Sequence, residues 1–166
     1  TITVSASGVA NQVILVEQDG ASTIFSVSPS TINIGSDAGS TSFTVSSNIL
    51  WTTLIDQSWV AIFPTSGSFT STVSVNYEAN NTTSERTSTI TINGANGNNK
   101  YVQITQAGVA KSLTASATKL KVSEVANNSI SFDITSNTSW SITSNQTWLS
   151  ISPSGGMNNA KITVAC

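Results

Sequence analysis

The sequence contains no histidine, a single cysteine at its last position, one methionine and only three prolines among 166 residues. Each scarcity removes a class of function. Without histidine there is no imidazole to act as a general base or to ligate a metal. The lone Cys166 excludes a disulfide framework and a Cys-ligated zinc within the chain. Charge is equally scarce: six Lys and Arg face eight Asp and Glu, for a net charge of −2. Six scattered cations cannot neutralise a run of phosphates, so no nucleic-acid partner is expected. No run of about 18 apolar residues occurs, so no helix is expected to insert in a membrane. The opening Thr1-Ile2-Thr3-Val4 does not read as the basic-then-apolar start of an export leader.

What fills the space is Ser and Thr, 54 residues in all, set against apolar residues at 38% of the chain. The two classes alternate rather than mix. Ile2/Val4, Phe43/Val45, Val73/Val75, Ile90/Ile92, Val102/Ile104, Ile130/Phe132/Ile134 and Ile162/Val164 all keep a period of two. That is the signature of half-buried strands with hydroxyl side chains on the wet face. Thr suits the pleat through its branched Cβ. Clusters such as Gly35-Ser36-Asp37-Ala38-Gly39, the loop from Asn93 to Asn99, and Gly155-Gly156-Met157-Asn158-Asn159 separate the runs as turns. No apolar stripe of period 3.6 is present. The chain reads as all-β, with short strands spaced for a sandwich. A neutral, hydrogen-bonding surface suits an extracellular or cell-surface location, although drift in a β-rich protein gives the same composition.

Self-similarity sets the organisation. Shifted by 89, Phe43 falls on Phe132, Asn48 on Asn137, Trp51 on Trp140, Trp59 on Trp148, Pro64 on Pro153 and Gly67 on Gly156. The pattern Ser-Asn-x-x-Trp, then Trp-[Val/Leu]-x-Ile-x-Pro-x-x-Gly, therefore occurs twice. Shifted by 88, Thr1-Ile2-Thr3-Val4 falls on Thr89-Ile90-Thr91-Ile92, and Gln18 falls on Gln106. Tandem Ig-like β-sandwich repeats with a period of about 88 residues follow. Residues 1–22 are expected to be the C-terminal strand pair of a truncated repeat, 23–110 a complete sandwich, and 111–166 the first part of a further repeat.

These motifs resemble the BACON domain, a module named for its abundance in Bacteroidetes and its suspected carbohydrate binding. The resemblance rests on Ser47-Asn48-x-x-Trp51, Trp59-Val60-Ala61-Ile62-x-Pro64-x-x-Gly67, Asn76-Tyr77-Glu78-Ala79-Asn80, Ser84-Glu85-Arg86-Thr87 and Val102-Gln103-Ile104-Thr105-Gln106-Ala107-Gly108. It implies an Ig-like sandwich attached to large exported proteins, with glycan or mucin as the suggested ligand. It supplies no binding residues to carry over, and no catalytic module accompanies the repeats here.

Two readings compete for the aromatics. An exposed indole is a stacking platform for a sugar ring; a repeated indole on an alternating strand is a core residue. Repetition favours structural core for Phe43, Trp51, Trp59, Phe132, Trp140 and Trp148. The aromatics without a counterpart, Phe63, Phe69 and Tyr101, are the glycan-binding candidates, with closure against a neighbouring repeat as the alternative. Phe63 and Phe69 flank Pro64-x-x-Gly67 and are placed to form one apolar spot. No catalytic residues are assigned, since Asp56, Glu78 and Glu85 have no cleft across which to act as a carboxyl pair. No metal site is assigned either, because no loop has a dense acidic spacing. No cofactor is expected. The sequons at Asn80, Asn81, Asn127, Asn137 and Asn145 are what chance gives in this composition. Arg86, the sole arginine, reads as structural, paired with Glu85 or Glu78.

The function expected is a non-catalytic spacer or stalk with weak glycan or mucin binding. The alternative is a filament or virion-appendage subunit in which the N-terminal hairpin of one chain completes the C-terminal unit of the next. Its partners are neighbouring repeats of the same or an adjacent chain. The competing explanation for the incomplete units is an excerpt of a longer array. Closure of the hairpin on its own chain is disfavoured by the short link at residues 19–22.

Overall fold

In the computed structural model, residues 1–95, 97–123 and 128–166 are described. Asn96 and residues 124–127 are not, so the middle of the Asn93–Asn99 loop and the sequon at Asn127 lie outside the described residues. The described residues form strands and no helix. In chain order these are β1 (Ile2–Val4), β2 (Gln12–Ile14), β3 (Phe25–Ser28), β4 (Thr31–Ile34), β5 (Gly39–Ser47), β6 (Trp51–Ile55), β7 (Val60–Phe63), β8 (Ser66–Gly67) and β9 (Ser71–Tyr77). They continue with β10 (Arg86–Gly94), β11 (Asn99–Gln106), β12 (Leu113–Ala115), β13 (Ser129–Ser136), β14 (Ser139–Ser141), β15 (Ser150–Ser152), β16 (Gly155–Met157) and β17 (Ala160–Ala165).

The middle of the chain is a complete sandwich. One sheet has the order β3-β5-β9-β7 and the other β4-β11-β10-β6-β8. Alternation places Phe43, Val45, Val73 and Val75 of the first sheet against Trp51, Ile90, Ile92, Val102 and Ile104 of the second. All nine are almost fully buried. The hairpin β10–β11 sits at the centre of the second sheet: β10 pairs antiparallel with β6, and β11 pairs parallel with β4. It therefore contributes four of the fully buried apolar side chains and two of the three inner strands.

The repeated Trp and Gly are one device. The indole of Trp51 lies over β8 so closely that a Cβ on Gly67 would stand 2.5 Å from Trp51 Cζ2. The indole Nε1 donates to the Phe69 carbonyl at 3.1 Å. Trp140 repeats this, with Gly156 beneath its ring and Nε1 donating to the Asn158 carbonyl at 2.7 Å. Burying an indole removes about 200 Å2 from water, worth roughly 5 kcal/mol at about 25 cal/mol per Å2. Satisfying its N–H avoids the cost of a buried orphan donor.

The last third repeats part of this plan. Strands β12-β13-β17-β15 correspond to β3-β5-β9-β7, and β14-β16 to β6-β8. Within residues 128–166 no strand corresponds to β10 or β11, and the segment 120–122 opposite β4 forms no ladder. The core is correspondingly small, with Ile134, Trp140, Ile162 and Val164 buried. Two assignments to the structural core change as a result. Trp148 is 59% exposed, whereas its counterpart Trp59 is 8% exposed. Phe132 is half-buried and packs at the margin of the small core. Phe43, Trp51, Trp59 and Trp140 are core residues. Trp59 lies beneath the Arg86 guanidinium of β10, whereas Trp148 lines an open groove with Leu120, Val122 and Leu149.

Gly67→Ala should lower the stability of the middle sandwich by about 2–3 kcal/mol, because the added methyl has no space beside a buried ring. Gly35→Ala, where nothing lies within 4 Å of the added Cβ, should change it by less than about 1 kcal/mol. Urea unfolding followed by tryptophan emission measures both; equal effects of the two substitutions would contradict the packing role of Gly67.

Candidate functional site

At one pole of the middle sandwich the only arginine closes the core. Its guanidinium stacks over Trp59, 4.3 Å from the ring centre. Arg86 Nε donates to Gln106 Oε1 at 2.8 Å, and Nη2 donates to the Glu78 carbonyl at 2.8 Å. The fully buried Gln106 in turn donates through Nε2 to the Glu78 carbonyl at 2.9 Å, with longer bonds to the carbonyls of Ser36 and Asp37. Arg86 is structural, as its position suggested, but its partners are a backbone carbonyl, an amide and a ring rather than the carboxylates of Glu78 or Glu85. Asn80 holds the adjoining loop: it is buried, donates to the carbonyls of Ser84 and Ala107, and accepts from Thr82.

The repeated Ser-Asn pair does something the sequence pattern did not disclose. Asn48 accepts from the Ile24 amide at 2.8 Å and donates to the Ser22 carbonyl at 2.9 Å. Asn137 accepts from the Ser112 amide at 2.8 Å and donates to the Ala110 carbonyl at 2.8 Å. Each asparagine thus clamps the segment that leads into its own unit. Ser47 and Ser136 close the tight turn beside it through their hydroxyls. On the other side of the second junction, the Val109 amide donates to the Thr82 carbonyl at 2.8 Å. Gly108 packs so closely on residues 82–84 that a Cβ would meet backbone at 2.6 Å. Val109 is held by the unit before the junction and Ala110 by the unit after it.

The three glycan candidates do not form one site. Phe63 stands on the edge strand β7, on the outer face of the four-stranded sheet, opposite Ser74. Tyr101 stands on β11, on the outer face of the five-stranded sheet. The two faces are on opposite sides of the sandwich. Phe69 lies in the connection between β8 and β9, and its carbonyl receives the Trp51 indole. Phe63 and Phe69 are each 74% exposed and Tyr101 is 56% exposed. The surroundings of Tyr101 are distinctive. Cross-strand rows place Tyr101–Thr91–Leu54, Thr31–Gln103–Thr89 and Asn33–Thr105 side by side on one face. Those eight side chains are uncharged, and six of them carry hydroxyl or amide groups beside the one aromatic ring.

Of the three acids considered as carboxyl pairs, Asp56 is engaged in the fold. Asp56 Oδ1 accepts from Ser88 Oγ and from the Thr89 amide, both at 2.9 Å, tying the end of β6 to β10. No group of three or more His, Cys, Asp or Glu able to hold a metal occurs among the described residues.

The model of the viral BACON domain family matches residues 24–109 and again residues 112–166. The chain belongs to this family and carries it as a tandem of all-β modules. No curated protein matches it in sequence. Among solved structures, a Bacteroides ovatus GH5 xyloglucanase in complex with a XXXG heptasaccharide is similar at a TM-score of 0.49 and 19% identity, over 54% of this chain and 19% of that one. The chain thus spans about a fifth of the enzyme's length. WR4, a C. elegans MSP family member, gives a TM-score of 0.38 at 12% identity, over 53% of this chain and 100% of that one. Domains 5–6 of the S-layer protein SbsC give 0.38 at 15% identity, over 86% and 84% of the two chains.

Arg86→Met should cost the middle sandwich about 2–4 kcal/mol, through the lost stacking and two charge-assisted hydrogen bonds. It should also move Trp59 emission to the red as water reaches the ring. Denaturant melts and emission spectra read both effects, and an unchanged spectrum would contradict the capping role of the guanidinium.

Proposed function

We propose that the chain is a non-catalytic spacer of an extracellular or surface-displayed protein, dividing at residues 22/23 and 110/111, with a neutral outer face that makes weak contacts to glycan or mucin. The observation that carries the spacer reading is the clamped junction. Val109 is hydrogen-bonded to one unit and Ala110 to the next, so no free residue lies between them. A linker with no slack transmits orientation from one unit to its neighbour. Membership of a β-sandwich module family, with the low charge and hydroxyl-rich surface, supports the extracellular setting.

The glycan contact is centred on Tyr101. A phenol ring beside Thr91 and Gln103, with Leu54 one strand beyond Thr91, offers a stacking surface for a sugar C–H face, with amide and hydroxyl groups for its oxygens. Phe63 and Phe69 supply separate apolar points elsewhere on the sandwich. A second reading, a structural part of a virion appendage, is favoured by the viral description of the matched family. Immunogold labelling of virions from the producing system separates it from a cellular surface protein.

Two outcomes are expected. Asn137→Ala should leave both units folded, at a cost of about 1–2 kcal/mol to the second, while NMR relaxation shows their rotational correlation times separating; independent tumbling of the units already in the unmodified chain would sink the spacer reading. On a glycan array, Tyr101→Ser should lower any signal at least fivefold and Phe63→Ser should lower it less. Binding that is indifferent to Tyr101 would remove this face from the proposal.

A further inference from the structure

We infer that the middle sandwich, residues 23–110, is closed while folded to endoproteases that cut after Lys or Arg, because its two cleavage residues are built into its central hairpin. The inference stands on geometry independent of the spacer and glycan readings. Within residues 23–110 the basic side chains are Arg86 and Lys100 alone. Arg86 opens β10 and Lys100 is the second residue of β11. The connections between the strands of this unit contain neither Lys nor Arg. An endoprotease holds about three residues on each side of the scissile bond as an extended strand against its own backbone. It must also draw the basic side chain into a pocket of its own.

Neither condition is met at Arg86. Upstream, the Ser84 carbonyl accepts from Asn80 Nδ2 at 2.8 Å and from Thr82 Oγ1 at 3.0 Å. Downstream, Thr87 pairs with Thr105 and Ser88 with Ile104. Ser88 is buried, and the Thr89 amide donates to Asp56 Oδ1 at 2.9 Å. The side chain is committed to the Trp59 ring, Gln106 Oε1 and the Glu78 carbonyl. Extraction into a protease pocket breaks all three contacts.

Lys100 is held in the same way. The Asn98 carbonyl accepts from the Gly94 amide at 2.9 Å. Asn99, Lys100 and Tyr101 pair with Asn93, Ile92 and Thr91. Val102 is fully buried, and the Gln103 amide donates to the Ser30 carbonyl at 2.9 Å on the other side of the strand. Freeing either segment withdraws Ile90, Ile92, Val102 and Ile104 from the core. Both bonds therefore share one gate, the opening of the sandwich. When opening and closing are fast relative to cleavage, the rate follows the population of the open form. In a domain of ordinary stability that population is about one part in a thousand or less. The unit is thus fitted to keep its backbone intact where such proteases act.

The test incubates the full 166-residue chain with trypsin and follows the two bonds by mass spectrometry. A synthetic peptide of residues 80–106 serves as the unfolded reference. Hydrolysis after Arg86 and after Lys100 should be at least about a thousandfold slower in the chain than in the peptide. Sub-denaturing urea should raise both rates in parallel. Gly67→Ala, on β8, should raise both alike by at least about tenfold. Gln57→Lys places a cation in the exposed connection between β6 and β7, and its bond should be cut at least about tenfold faster than either native one. Cleavage after Arg86 or Lys100 within tenfold of the peptide overturns the inference. So does a response of one native bond to urea without the other, or a Gln57→Lys chain no more susceptible than the unmodified one.

Discussion

A two-sheet sandwich keeps its core dry only if the inner strands of both sheets are present, and in this protein that condition rests on one apolar hairpin. Where β10–β11 fills the space between β4 and β6, its four inward residues are fully buried, Trp59 is roofed by Arg86, and Gln106 gathers three backbone carbonyls into a closed pole. In residues 111–166, Trp148 is exposed, Phe132 lies at the margin of the small core, and a groove of about 700 Å3 runs beside them.

The junction between units follows from a smaller version of the same economy. A buried or half-buried backbone group needs a partner, and the asparagine immediately beyond the last inward position of β5 and β13 is placed to provide two of them. It holds the incoming strand to the turn that follows the central strand of the sheet. The next unit can then begin immediately, and the outer faces remain free of linker. Those faces carry hydroxyls and amides in cross-strand rows.

Much of the fold was legible because it is written in period two and then written again. Alternation identifies Phe43, Val45, Ile90 and Ile92 as inward residues, and the 89-residue shift separates Trp51 and Trp140 from chance aromatics. Other features were not legible, for particular reasons. Trp59 and Trp148 have the same local sequence, and only a distant strand decides which is covered. Phe63 and Tyr101 are each recognisable as outward-facing, yet parity cannot say that β7 and β11 belong to opposite sheets. Asn48 and Asn137 act through backbone groups, which leave no trace in hydropathy; the repeat singled them out, but not what they hold. Arg86 could be called structural from its place in the Ser84-Glu85-Arg86-Thr87 motif, while its partners, a ring and two oxygen acceptors, depended on the closing geometry of the pole.

The central claim is that the apolar hairpin β10–β11 closes the middle sandwich. Amide hydrogen exchange, followed by mass spectrometry, tests it most directly. The account predicts that β10 and β11 are protected as strongly as β5 and β9 and open together with them. Fast exchange of β10 and β11 while β5 and β9 stay protected would contradict it.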